Sequence, residues 1–137
     1  MKLDLSVTEY FAQPIEEVWR AITDSRMLAP WLMENDFEAS IGARFVLRQA
    51  DPAPWWRGWV DCEVLELKKP TRMVWSWSDG SEEHGQTRII FELRTDGEGT
   101  RLTLRHCGDE GDEMGKMVCE RWPIKLRGLG SVLEKKI

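Results

Sequence analysis

The sequence predicts an α+β domain in which one antiparallel sheet is held by a carboxyl-terminal helix. Three observations carry this. Period-two alternation recurs in six separate runs, from "KLDLSVTEYF" to "TRLTLRH"; a short 3.6-period stripe follows the first run; a longer one closes the chain. At 137 residues, with no internal repeat and no low-complexity segment, the chain fits a single domain spanning 1–137.

Residues 2–11 set Leu3, Leu5 and Val7 against Lys2, Asp4 and Ser6, as a strand with one buried face requires. Pro14 then opens "PIEEVWRAITD", with Ile15, Val18, Trp19 and Ile22 at i, i+3, i+4 and i+7. Proline suits the first helical position, and Glu16 and Glu17 favour the positive helix start. "SRMLAPWL" adds a helical turn that Pro30 should interrupt. A second strand is expected at 43–49, with Phe45 and Leu47 on one face, Arg44, Val46 and Arg48 on the other, and Gly42 in the preceding turn.

The third strand, 56–67, places Trp56, Gly58, Val60, Cys62 and Val64 on one parity and Trp55, Arg57, Trp59, Asp61 and Glu63 on the other. Leu65 and Leu67 switch the apolar parity, which predicts a bulge near Val64. "RMVWSWS" (Met73, Trp75 and Trp77 on one face), "QTRIIFELR" (Thr87, Ile89, Phe91, Leu93) and "TRLTLRH" (Leu102, Leu104, His106) complete the six. The acidic stretch at 109–113 favours a helix start, and Trp122, Leu126, Leu129 and Leu133 form a stripe that can lie on the sheet. Pro123 predicts a kink or break at 119–123, because an interior proline costs about 3 kcal/mol. Gly128 and Gly130 weaken helix propensity further and leave room for close approach or a ligand.

Composition excludes several function classes. The net charge is −5 and the basic residues are scattered, which argues against a nucleic-acid partner. The amino terminus carries Asp4 and Glu9 and has no continuous apolar stretch, so it reads neither as a signal peptide nor as a membrane span, and the default expectation is cytoplasmic. Cys62, Cys107 and Cys119 are odd in number and lack a C-x-x-C pair, which fits reduced structural thiols. There is no nucleophile–base motif, phosphate loop or metal-ligand cluster, and no cofactor is called for; His84 sits in a polar turn, remote in sequence from His106.

Particular residues, beyond the element order, resemble the START-like or SRPBCC superfamily, in its branch of bacterial homologues of the heat-shock-protein ATPase activator. They are "PIEEVWRAITD" with Trp31 downstream, "GARF" at 42–45, "GWVDCEVLEL" followed by "PTRMVWSW", "TRIIFEL", "GTRLTLRH" with Gly108, and the terminal W-x3-L-x2-L-x3-L stripe, together covering essentially the whole chain. The family's usual double glycine reads Gly42-Ala43 here, and "DPAPWWRG" is unusually rich in tryptophan. The resemblance implies the helix-grip fold: a curved antiparallel sheet, six-stranded here, wrapped around a long carboxyl-terminal helix, with two short helices after strand one and a largely apolar cavity between sheet and helix. Members bind hydrophobic small molecules, some catalyse cyclisation or dehydration, and the eukaryotic branch stimulates a chaperone ATPase.

Strand parity and the terminal stripe nominate Trp75, Trp77, Ile89, Phe91, Leu104, His106, Met117, Val118 and Trp122 as cavity-wall and ligand-binding residues. His106 is the polar candidate: an imidazole among apolar neighbours can orient a ligand or transfer a proton, or simply be bonded to backbone at the strand end. Arg44, Arg48, Arg88, Arg94, Arg101 and Arg105 share the opposite parity with Glu92, as a solvated outer face would.

Three functions follow. The first is non-catalytic binding of a hydrophobic or amphipathic small molecule. The second is a cyclase or dehydratase using the same cavity and His106. The third is an interaction module, either a chaperone-related adaptor or a homodimer joined through Trp55 and Trp59, with Trp56 anchored inside.

Overall fold

The computed structural model describes residues 1–50, 53–80 and 86–135. Its elements run β1 (Lys2–Phe11), α1 (Ile15–Ile22), α2 (Ser25–Leu28), β2 (Glu34–Asn35), β3 (Arg44–Arg48), β4 (Trp59–Lys68), β5 (Arg72–Ser78), β6 (Thr87–Asp96), β7 (Gly99–Asp109) and α3 (Asp112–Glu134). One antiparallel sheet has the order β1-β7-β6-β5-β4-β3-β2, so β2 to β7 form a meander and β1 closes onto the last strand.

Parity decides what is buried. Phe45, Leu47, Val60, Cys62, Val64, Met73, Trp75, Trp77, Ile89, Phe91, Leu93, Leu102 and Leu104 all face the core, with exposures of 4% or less. Opposite them α3 contributes Met114, Val118, Trp122, Leu126, Leu129 and Leu133. Together with Val18, Trp19 and Ile22 of α1 they make one continuous core. The register of β4 against β5 shifts between Val64 and Glu66, a bulge at the point where the apolar parity switches.

The sheet has seven strands rather than the six expected. The addition, β2, is two residues long and carries no alternation; it pairs with β3 and is pinned by polar contacts instead. Asn35 Nδ2 donates to the Ser25 and Met33 carbonyls at 3.2 and 2.9 Å, and Ser25 Oγ returns a hydrogen bond to the Asn35 carbonyl at 3.0 Å. Asp24 caps α2 by accepting from the Arg26 and Met27 amides.

Pro14 sits one position earlier than expected, at the cap of α1, where its carbonyl accepts from the amides of Glu17 and Val18. Strand β4 begins at Trp59 rather than at 56, because Gly58 adopts φ +98° and turns the chain just before it.

Of the kink or break expected at 119–123, no break occurs: α3 runs through Pro123 as one helix. The missing amide removes one rung, but Trp122 and Leu126 on either side are buried and hold the helix against the sheet. Gly128 and Gly130 face Trp31 and Phe11, where an added Cβ would lie 3.6 and 3.5 Å from the nearest atoms, so α3 packs closely there without requiring glycine.

Candidate functional site

β5 delivers Trp75 and Trp77 to the same face two residues apart, and the core differs around them. Trp75 is sealed in an aromatic cluster, with ring centroids 5.5 Å from Phe37, 4.9 Å from Phe45 and 4.7 Å from Phe91. Trp77 lies beside His106 and Trp122, at 5.0 and 6.2 Å, and lines a cavity of about 20 Å³. The cavity lies between β5, α3, the segment after α2 and the tryptophan loop. Its walls are Leu32, Met33, Gln49, Trp56, Trp77, Met117, Val118, Arg121, Trp122 and Lys125.

Of the residues nominated from sequence, Trp77, Met117, Val118 and Trp122 meet in this wall. Trp75, Ile89, Phe91 and Leu104 lie outside it, fully buried in the closed part of the core. Trp56, expected inside, joins the wall, whereas Leu32, Met33, Gln49, Arg121 and Lys125 escaped the sequence reading. One signal was present: Met117, Arg121 and Lys125 are spaced i, i+4 and i+8, a second stripe beside the apolar one on α3.

His106 is fully buried on β7, and both of its nitrogens are engaged by side chains rather than backbone. Trp122 Nε1 can only donate, so it gives its proton to His106 Nδ1 at 3.1 Å. Nε2 then carries the imidazole proton and donates to Thr87 Oγ1 at 2.8 Å, while the Thr87 hydroxyl points back to the Trp77 carbonyl at 3.5 Å. Burial pushes the imidazole down to about 3, so His106 is neutral and serves as a tie between β7, β6 and α3. Gly108 permits the approach of β6 here: a Cβ at this position, where φ is +133°, would lie 3.0 Å from the Thr87 methyl.

Two donors contrast with that satisfied chain. The indole N–H groups of Trp75 and Trp77 are buried and meet no acceptor among the described residues. Each such group costs about 1–3 kcal/mol.

The charged residues of the wall all come from α3. Lys125 is half-buried and donates from Nζ to the Leu32 carbonyl at 2.7 Å. Burial, and then the neighbouring Arg121 guanidinium, lower its ammonium to about 8. Elsewhere, Glu110 is buried at the β7–α3 junction, where desolvation and the Asp79 carboxyl raise it to about 8. Cys62 is buried and its thiol is pushed well above its ordinary range, which leaves it inert.

Apart from the middle of β5, where Val74 and Ser76 are buried, the outer face of the sheet is solvated and charge-paired. Arg44 meets Glu63, Arg72 meets Glu66 and Glu92, and Arg101 meets Asp96. Of the loop tryptophans, Trp56 is buried, Trp55 is 44% exposed, and half-buried Trp59 lies against the guanidinium groups of Arg57 and Arg48 at 4.6 and 5.8 Å. His84 lies outside the described residues. Among the described residues no three His, Cys, Asp or Glu side chains converge as metal ligands, and no helix is long and apolar enough to cross a membrane.

The family model described as "Activator of Hsp90 ATPase homolog 1-like protein" matches residues 12–134. The chain belongs to this family. No curated protein is similar enough to count as a relative of this family member. The solved structure of protein MLL2253 from Mesorhizobium loti superposes with a TM-score of 0.86 at 25% identity, covering 98% of each chain. The Aha1 dimer from Colwellia psychrerythraea gives 0.82 at 20% identity over 97% of each chain. DynU16, a protein in the dynemicin biosynthetic locus, gives 0.80 at 23% identity, covering 96% of this chain and 47% of the other. Family and neighbours agree on the helix-grip fold.

Proposed function

We propose that this family member binds an apolar or amphipathic small molecule in the cavity between the sheet and α3, without chemistry of its own. The observation that carries the reading is the cavity wall. Leu32, Met33, Trp56, Trp77, Val118 and Trp122 are buried and apolar, while Gln49, Arg121 and Lys125 are the more exposed wall residues, so the polar groups lie at the mouth. DynU16, which shares the fold, is a protein in the dynemicin biosynthetic locus, and this too favours a small-molecule role.

At about 20 Å³ the cavity holds a single water, against roughly 300–1,000 Å³ for ligand sites, so a ligand must open it. The walls can give way. Met33 and Met117 are unbranched with flexible torsions, and the Trp56 indole is tied by one hydrogen bond, from Nε1 to the Trp59 carbonyl at 3.2 Å. Enzymatic use of His106 is disfavoured because both its nitrogens are occupied and it stays neutral.

Native mass spectrometry of the purified chain, with titration of its tryptophan emission by N-phenyl-1-naphthylamine, tests the reading. One-to-one binding is expected, and Val118→Trp should abolish it by filling the cavity. If the dye fails to bind both the parent and Met117→Ala, and no ligand is retained, the reading is wrong. A second reading, self-association through the Trp55 and Trp59 end of the sheet, draws on the 44% exposure of Trp55 and on the Colwellia dimer; the same spectrum reports it as a doubled mass.

A further inference from the structure

We infer that the molecule taken by the cavity is an anionic amphipath, whose carboxylate seats between Arg121 and Lys125 while its apolar body lies against Trp56, Trp77 and Trp122. The inference rests on the cavity reading above and adds the head group. Arg121 and Lys125 are one helical turn apart on α3 and both line the cavity. Neither is paired with a carboxylate among the described residues: Lys125 has only the Leu32 carbonyl, a neutral acceptor.

Two like charges at i, i+4 repel, and partial burial of one of them removes the solvent that would screen the pair. The mouth therefore carries an uncompensated positive charge on a chain whose net charge is −5. Burial, and after it the Arg121 charge, lower the Lys125 ammonium. An incoming carboxylate relieves the repulsion. It supplies a counter-ion that neither cation has among the described residues, it can accept from the guanidinium fork and the ammonium together, and the Gln49 amide on the same wall offers a further donor.

Among the described residues no other wall residue is charged, and no carboxylate lines the wall beside the two cations. A neutral amphipath would leave the two cations facing each other. A cationic one would add a third like charge.

Displacement of bound N-phenyl-1-naphthylamine at neutral pH separates the two claims, with decanoate, decanol and decyltrimethylammonium as competitors sharing one tail. Decanoate should displace the dye at a concentration about tenfold below that of decanol, as one charge-assisted contact gives, with the cationic tail weakest. Arg121→Gln should cut that advantage, read as the ratio of the decanol to the decanoate concentration needed, to about twofold, and Lys125→Met should do the same. If decanoate and decanol compete equally in the parent, or if both variants keep the full preference, the head-group assignment is wrong while the cavity reading stands. If the dye does not bind, the cavity reading falls and the inference with it.

Discussion

Trp75 and Trp77 share a strand, a face and a side-chain type, yet they occupy two different kinds of interior. Around Trp75 the space is filled by Phe37 and by Phe45 and Phe91 of the same sheet face, which seal it. Around Trp77 it is incompletely filled, by a histidine, a second tryptophan and the mobile-tailed Met33 and Met117. Position along β5 thus decides between sealed core and cavity wall, and parity alone does not.

Truncation should expose this difference most strongly. Trp75→Ala empties a sealed aromatic cluster and is expected to cost about 4–5 kcal/mol, whereas Trp77→Ala, beside space already present, falls nearer 3. Urea denaturation of both variants measures the gap. Equal losses would mean that the two halves are equally closed.

A smaller effect follows from His106. Its folded value of about 3 lies below the ordinary 6.5, so the unfolded chain binds a proton that the folded chain refuses. Its contribution is therefore complete above pH 6.5 and is lost as pH falls toward 3. Between pH 7 and 5 the loss is about 2 kcal/mol. Glu110, raised from 4.5 to about 8, has the opposite sign: its contribution is full below 4.5 and is lost as pH rises through 8. Between pH 7 and 5 the two contributions oppose each other in the parent, so His106→Gln, which leaves Glu110 in place, should gain about 2 kcal/mol of stability relative to the parent over that interval. An unchanged pH dependence would show that folding does not hold His106 neutral.

The smallest change expected is a gain. Pro123 deprives α3 of a rung next to Trp122, so Pro123→Ala should stabilise by about 1 kcal/mol, below the roughly 3 kcal/mol ceiling because the helix already accommodates the ring. Thermal melts with and without N-phenyl-1-naphthylamine would read both stability and binding. Tighter α3 packing at unchanged affinity would separate the looseness of the helix from the opening of the cavity.

These contrasts mark what the sequence could convey. Alternation at 72–78, 86–94 and 100–106 assigned each side chain to a face, because a pleated strand has no other choice. Strand β2 was illegible, since two residues held by Asn35 and Ser25 have no periodicity. The continuity of α3 was illegible too, because packing on Trp122 and Leu126 outweighs a local penalty. The wall residues Leu32, Met33 and Gln49 meet Trp122 across more than seventy positions of sequence, a proximity that no local pattern encodes. His106 was found by parity, but its partners were not, because a strand predicts which way a ring points and not what waits there.

The topology also sets an order of events. Each hairpin from β3 to β7 joins neighbours in sequence, but Leu3 pairs with Gly108 and Phe11 with Thr100. Closing that edge requires nearly the whole chain, an entropic toll that local hairpins never face, so β1 is the last strand to zip and its arrival is expected to limit the rate of folding.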